Sequence, residues 1–77
     1  MAGKFVLHFA NIRGLRANFF SVYTHINIHR PDVLALCETQ VREDSDPRDF
    51  HLPGYHILSL FVSHRGLVVY IKSGIVF

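Results

Sequence analysis

The chain has one cysteine, no long hydrophobic run and no repeated segment, and each scarcity excludes a class of protein. Because Cys37 is alone, no disulfide can form within the chain, and cysteine usage gives no information on the cellular compartment. Every apolar run is shorter than the roughly 18 residues of a membrane-spanning helix, so no span is expected. Only six apolar-leaning residues separate Lys4 from Asn11, too few for a secretory signal.

The composition that remains is that of a small folded domain. The chain has 77 residues, of which 49% are hydrophobic, and its mean hydropathy is +0.22. A chain of this length forms at most one domain, and one this apolar is not disordered. The net charge of +2 is compatible with a nucleic-acid partner but does not argue for one.

The first half of the chain predicts a strand, a helix and a second strand. The apolar runs 5–10 and 33–37 barely alternate, which is typical of strands covered on both faces. Between them, five apolar residues fall on one helical face: Leu15, Phe19, Val22, Tyr23 and Ile26. We expect a helix that is capped by Asn18 and ends near His29, because Pro31 disfavours helical backbone in the preceding residue. Two strands joined by a helix should lie parallel.

The second half predicts a long polar loop over 39–54, followed by strands over 55–62 and 67–72 that form an antiparallel hairpin around 63–66. The predicted fold class is therefore α/β. One helix covers only one face of such a sheet, and an exposed apolar face indicates a missing partner surface. We therefore expect a part of a larger domain, or a chain that binds a second copy or another protein. The alternative is a self-contained domain whose loop 39–54 covers the second face.

Two polar residues stand directly after the predicted parallel strands. Asn11 follows the first apolar run and Glu38 follows the second. Ligands of such sheets bind at the carboxyl ends of the strands, and a carboxylate beside an amide is the beginning of a divalent-metal and phosphate site. Simpler interpretations remain, since Glu38 could be a solvated strand-end residue and Asn11 a turn residue.

Four segments resemble one known family. Residues 11–16 read Asn-Ile-Arg-Gly-Leu-Arg, and residues 31–39 read Pro-Asp-Val-Leu-Ala-Leu-Cys-Glu-Thr. Further on, 52–55 read Leu-Pro-Gly-Tyr, and 65–72 read Arg-Gly-Leu-Val-Val-Tyr-Ile-Lys. In these segments and their order the chain resembles the endonuclease/exonuclease/phosphatase superfamily. It is most similar to the endonuclease domains of non-LTR retrotransposons, which accompany a reverse transcriptase.

The resemblance implies a fold and a site. The match covers the N-terminal third of a family domain, so residues 1–77 would be a partial domain without its C-terminal catalytic half, the first part of a two-sheet α/β sandwich. Glu38 would bind the catalytic Mg²⁺ or Mn²⁺. Asn11 would have a catalytic role, holding the metal site and the scissile phosphate. The family's general base is a histidine that an aspartate holds near the domain's C-terminus, and neither matches a position here.

The implied function is DNA cleavage by a fragment that is inactive alone. In the retrotransposon context the enzyme nicks target DNA in the nucleus; the chain itself does not reveal its compartment. Arg13 departs from the family, since relatives carry an acidic or small polar residue there; its cation would oppose a second metal but could contact phosphate. Leu67 also replaces a small residue. The alternatives are a non-enzymatic remnant that folds only on a partner, and a phosphatase or lipid-phosphate branch of the superfamily.

The six histidines invite a metal or catalytic interpretation, but none matches the family's catalytic histidine by order. His25 and His29 lie four positions apart, the spacing of paired zinc ligands on a helix. No glutamate follows His25 and the only cysteine is isolated, so a surface pair is the favoured interpretation. The helical wheel places His25 on the solvent side and His29 near the edge of the buried face. His8, inside the first strand, is interpreted as a packed histidine with one hydrogen bond.

Overall fold

The fold is a mixed four-stranded sheet with one helix packed on one of its faces. The computed structural model describes residues 4–40, 47–60 and 66–75. In chain order its elements are β1 (Leu7–Asn11), α1 (Leu15–His29), β2 (Val33–Cys37), a short 3₁₀ helix (Pro47–Phe50), β3 (Tyr55–Leu60) and β4 (Leu67–Lys72). The predicted α/β class and the order of the elements are confirmed.

The strands are ordered β1-β2-β4-β3 across the sheet. β1 and β2 are parallel, whereas β4 is antiparallel to both β2 and β3. The predicted strand–helix–strand unit and the antiparallel hairpin are therefore both present. The predicted hairpin turn and the predicted end of the third strand fall largely on residues 61–65, which lie outside the described part of the chain.

The helix begins four residues earlier than a cap at Asn18 predicts, with Gly14 as its N-cap, so the capping role expected of Asn18 is wrong. Asn18 lies inside α1 with φ −113° and ψ 15°, and its side-chain amide donates hydrogen bonds to the carbonyl oxygens of Ile12 (3.0 Å) and Gly14 (2.9 Å). The amide therefore binds the turn before the helix rather than the helix's own first amides. At the other end the helix stops at His29 as predicted, with Arg30 in left-handed backbone geometry.

The hydrophobic core lies between α1 and the helix-facing side of the sheet. Its buried residues come from every described element except β1: Leu15, Val22, Ile26, Leu34, Leu36, Phe50, Leu52, Tyr55, Val68 and Tyr70. Two buried hydroxyls tie this core to the backbone, since Tyr70 donates to the carbonyl of Phe50 (2.6 Å) and Tyr55 to that of Pro31 (2.5 Å). Burial raises the pKa of both hydroxyls. Tyr23, predicted on the buried face, is 44% exposed.

The described part of the predicted loop packs on the same side as the helix. Phe50 and Leu52 are buried in the core, and the Phe50 ring meets Phe19 edge-on at 5.8 Å between centroids. An exposed ion pair of 3.4 Å between Arg16 and Asp49 adds little, because solvent screens such pairs. Residues 47–54 therefore support the helix face and do not cover the opposite face of the sheet.

That opposite face, here called the open face, is largely apolar, and its edge strands β1 and β3 are the exposed part of it. Because side chains alternate along a strand, the register places on it, together with His56, the apolar residues Leu7, Phe9, Val33, Ala35, Cys37, Leu58, Leu67, Val69 and Ile71. Leu7, Phe9 and Leu58 are 60%, 70% and 48% exposed. Within the described residues no helix is long and apolar enough to cross a membrane.

Candidate metal and phosphate site

Asn11 and Glu38 lie at the same edge of two neighbouring parallel strands. Asn11 is the last residue of β1 and pairs in register with Cys37, the last residue of β2, which Glu38 follows directly. Both residues are exposed. The sequence expectation that the amide and the carboxylate leave the sheet at one carboxyl edge is therefore met in the geometry.

Backbone hydrogen bonds join the two turns beyond the strand ends. The amide of Ile12 donates to the carbonyl of Cys37 (3.0 Å), that of Gly14 to Glu38 (2.8 Å), and that of Leu15 to Thr39 (2.7 Å). The last of these uses the first amide of α1, so the helix start is attached to the same turn. Paired backbone therefore holds the segments that carry the two residues side by side.

The backbone around the site is strained. Arg13, Glu38 and Gln40 have φ values of 50°, 53° and 55°, in the left-handed region that residues other than glycine rarely occupy. Each such residue costs about 1 kcal/mol, and strain of this kind concentrates at functional sites. The sequence gives no signal of this strain, because glutamate and arginine have no preference for that conformation.

Gly14 is the one turn residue here that the backbone requires to be glycine. Its φ is 108°, and a Cβ atom at this position would lie 3.4 Å from Oε1 of Gln40. The prediction that Gly14 marks the turn is confirmed. The residue also serves as the helix N-cap without any side-chain hydrogen bond.

Thr39 brings an unusual buried hydroxyl to the site. The residue is 1% exposed, and its Oγ1 has no hydrogen-bond partner among the described residues. A buried hydroxyl without a partner costs roughly 1–3 kcal/mol. Thr39 follows Glu38 in the chain, but its side chain is buried whereas that of Glu38 is exposed.

The donor atoms at this edge fit a hard divalent cation in part. The carboxylate of Glu38 and the amide oxygen of Asn11 are both oxygen donors, the class that Mg²⁺ prefers. Mg²⁺ is commonly held by one or two carboxylates, with water and phosphate oxygens completing its shell. Across residues 4–40, 47–60 and 66–75, no three His, Cys, Asp or Glu residues form a ready ligand set. The residues fit one side of a magnesium site and require further ligands.

The histidines lie in a different arrangement from the predicted one. His25 is half-buried against β1, where its Nε2 lies 2.6 Å from Nδ1 of His8, whereas His29 is exposed. The helical wheel predicted the opposite exposures for His25 and His29, because it ignores position along the helix axis. His29 is the last residue of α1. Burial, and then the neighbouring His29 and His8, lower the pKa of His25. The expectation of one hydrogen bond for a packed His8 is consistent with this contact.

Comparison with solved structures identifies the fold. An AP endonuclease from Archaeoglobus fulgidus superposes with a TM-score of 0.78 and 24% identity, covering 88% of this chain and 27% of that one. The AP endonuclease LMAP from Leishmania major gives a TM-score of 0.74 and 21% identity, covering 91% and 24%. No protein-family model and no curated protein sequence matches the chain.

The chain therefore has the α/β fold of the N-terminal part of an AP-endonuclease-like domain. It spans about a quarter of the length of these two structures. The fold implied by the sequence resemblance is thus confirmed, and the specific link to retrotransposon endonucleases remains a prediction.

Proposed function

We propose that the chain is the N-terminal part of a Mg²⁺-dependent endonuclease that cleaves DNA. The observation that carries the proposal is the pairing of Asn11 with the residue before Glu38 at the carboxyl edge of two parallel strands. Ligand sites of open α/β sheets form at this edge. The similarity of the fold to two AP endonucleases supports the same function class.

Each site residue has a defined task in this proposal. The carboxylate of Glu38 holds the cation, and the amide of Asn11 orients the scissile phosphate or a water of the hydrated ion. The exposed guanidinium of Arg13, in the turn after β1, contacts phosphate oxygens. When bound, Mg²⁺ supplies charge stabilisation at the phosphoryl and leaving oxygens.

The proposed activity needs parts that this chain does not assign. Hydrolysis requires a base that takes a proton from the attacking water, and none of the resembling segments supplies one. We therefore propose that the base and the remaining metal ligands come from a polypeptide equivalent to the rest of an AP-endonuclease-like domain. The chain alone would bind the cation weakly and leave DNA uncut. Target nicking of the retrotransposon type is the specific activity that the residues 11–16 and 31–39 favour.

The binding step is tested first, with Mn²⁺ as a paramagnetic probe. We expect Mn²⁺ to broaden the backbone amide signals of residues 11–15 and 38–40 in the NMR spectrum, and Glu38→Gln to abolish the broadening. Asp49→Asn removes another exposed carboxylate and serves as the matched control. Broadening that persists in Glu38→Gln would contradict the assignment of the Glu38 carboxylate as the cation ligand.

The second step is a plasmid-nicking assay in Mg²⁺ with the wild-type chain and Glu38→Gln. We expect no nicking by either. Robust nicking by the wild type that disappears in the variant would show that the chain needs no further parts.

A non-enzymatic fragment that folds against a protein partner is the second candidate. The open face favours it, because Leu7 and Phe9 expose more than half of their surfaces. This candidate predicts a melting temperature that rises with protein concentration and does not respond to Mg²⁺.

A further inference from the structure

β1 is an edge strand whose outer side carries backbone groups that β2 does not use. β2 lies on its inner side, and no strand of the described chain lies beyond it. The carbonyl of Val6 and the amide of Ile12 bind backbone groups of β2, so the even-numbered residues of this segment face β2. Because the direction of the backbone groups alternates along a strand, the amides and carbonyls of Phe5, Leu7 and Phe9 point outward.

This edge lacks the features that usually keep strands of different molecules from pairing. Edge strands are commonly protected by lysine, by proline or by a covering segment. Residues 5–10 contain no lysine, arginine, carboxylate or proline. The side chains of Phe5, Leu7 and Phe9 are 64%, 60% and 70% exposed. The other edge strand, β3, differs because the short 3₁₀ helix lies against it. The outer edge of β1 is therefore the place where the sheet accepts a further strand.

We propose that the outer edge of β1 pairs, in antiparallel orientation, with the same edge of a second copy of the chain. A two-fold axis at Leu7 sets Leu7 opposite the partner's Leu7, and Phe5 opposite the partner's Phe9. Apolar side chains then meet apolar side chains on the open-face side of the strand pair. Such an interface is isologous, because both copies contribute the same residues.

The apolar pattern selects this register. An axis at Phe9 would set Leu7 opposite the polar side chain of the partner's Asn11. An axis at Leu7 leaves Asn11 outside the apolar pairs, where it can still serve the metal and phosphate site. Because each copy has one such edge, the pairing closes at two chains and does not continue into a fibre.

The exposed area predicts a weak and reversible dimer. A fully buried phenylalanine side chain covers about 150–250 Å², so Phe5 and Phe9 offer roughly 200–300 Å² per copy. With Leu7 added, the total for two copies stays below the roughly 1,200 Å² that stable interfaces bury. We therefore expect a dissociation constant above about 1 µM.

The first test is sedimentation velocity at increasing protein concentration. Leu7→Lys sets like charges against each other at the axis and should weaken association at least about tenfold. Leu58→Lys is the matched control, because Leu58 is a 48% exposed leucine of the open face on the other edge strand. It should associate like the wild type. A mixture of Leu7→Lys and Leu7→Glu should regain association, because opposite charges then meet at the axis.

The second test follows the backbone by hydrogen exchange. The amides of Leu7 and Phe9 should exchange more slowly as the protein concentration rises. The amide of Ile12 is bonded within one chain and should show no such dependence. Glu38→Gln should associate like the wild type, so failure of the magnesium proposal leaves both tests unaffected.

Three results would each overturn the proposal. The first is a monomer at every concentration up to about 1 mM. The second is an equal loss of association in Leu7→Lys and Leu58→Lys, which would place the contact on the open face and not on the strand edge. The third is a mixture of the two charged Leu7 variants that stays monomeric, which would show that residue 7 does not face its own copy.

Discussion

The backbone amide of Gly14 donates a 2.8 Å hydrogen bond to the carbonyl oxygen of Glu38. Through this bond a residue that must be glycine positions the residue that we propose to hold the metal. The stability of the turn and the integrity of the site are consequently linked.

Gly14→Ala tests that link. The φ of 108° is unfavourable for alanine, and its Cβ would meet Oε1 of Gln40 at 3.4 Å. We expect the free energy of unfolding in urea to fall by about 1–2 kcal/mol. Gly74→Ala is the matched control, because its φ is 97° with no atom within 4 Å. Equal losses in the two variants would show that Gly14 has no role beyond its own backbone angle.

Replacing Glu38 by glycine should separate stability from ion binding. Glycine adopts φ near 53° without strain, so Glu38→Gly should stabilise the fold by roughly 0.5–1 kcal/mol while Mn²⁺ broadening is lost. Glu38→Gln keeps the strain and should show the same loss of binding without the gain. A destabilised Glu38→Gly would mean that the carboxylate itself supports the fold.

Thr39→Val tests the orphan hydroxyl. Valine has nearly the same shape but no unsatisfied oxygen, so the free energy of unfolding should rise by about 1 kcal/mol in the absence of metal. Thr24→Val, at a half-buried position inside α1, is the control for the substitution itself. A less stable Thr39→Val would show that the hydroxyl has a partner in solution.

Alkaline pH should destabilise the chain through Tyr70. Burial raises the pKa of its hydroxyl above the ordinary value of 10.0, so the folded state keeps the hydroxyl neutral while the unfolded chain ionises. The stabilisation is complete below pH 10 and is lost as the pH rises from there towards the folded-state pKa. Urea unfolding measured between about pH 8 and 11 should show this decline.

Tyr70→Phe should flatten that decline in part, because the buried Tyr55 contributes in the same direction. The variant also leaves the carbonyl of Phe50 without its donor, which costs about 1–3 kcal/mol near neutral pH. If the free energy of unfolding of Tyr70→Phe falls with pH as steeply as that of the wild type, groups other than Tyr70 cause the decline.

Phe9→Ser tests the open face. Phe9 is 70% exposed, so its removal should change the free energy of unfolding by less than about 0.5 kcal/mol. Concentration-dependent association, measured by sedimentation velocity, should decrease, because the largest exposed ring of that face is gone. Phe20→Ser, at an 81% exposed position on α1, should leave association unchanged. Equal effects of the two variants would indicate non-specific association through exposed aromatic side chains rather than association through the open face.

The strands were the most predictable part of the fold. Val33–Cys37 and Leu67–Lys72 were predicted at their observed bounds, because a continuous apolar run between turn residues favours a strand that begins and ends with the run. The helix start was missed because the side chain of Asn18 satisfies carbonyls of the preceding turn, which a propensity for capping does not reveal. The short 3₁₀ helix was missed because Phe50 and Leu52 stand alone in a polar segment.

The places of Asn11 and Glu38 in the fold were predictable, but their backbone conformation was not. Asn11 and Glu38 follow from strand polarity, which a βαβ pattern fixes. The left-handed backbone of Glu38 and the isolated hydroxyl of Thr39 depend on the hydrogen bonds between the two turns. The meeting of His8 with His25 depends on how the helix lies on the edge strand, and spacing within either element carries no information on that.

The three amide donors of the turns, Ile12, Gly14 and Leu15, also act as reporters. Each exchanges its hydrogen with solvent only when the segment after β1 lifts away from the segment after β2. Deuterium uptake at these positions therefore measures how often the two strand ends separate, in the absence of any ligand.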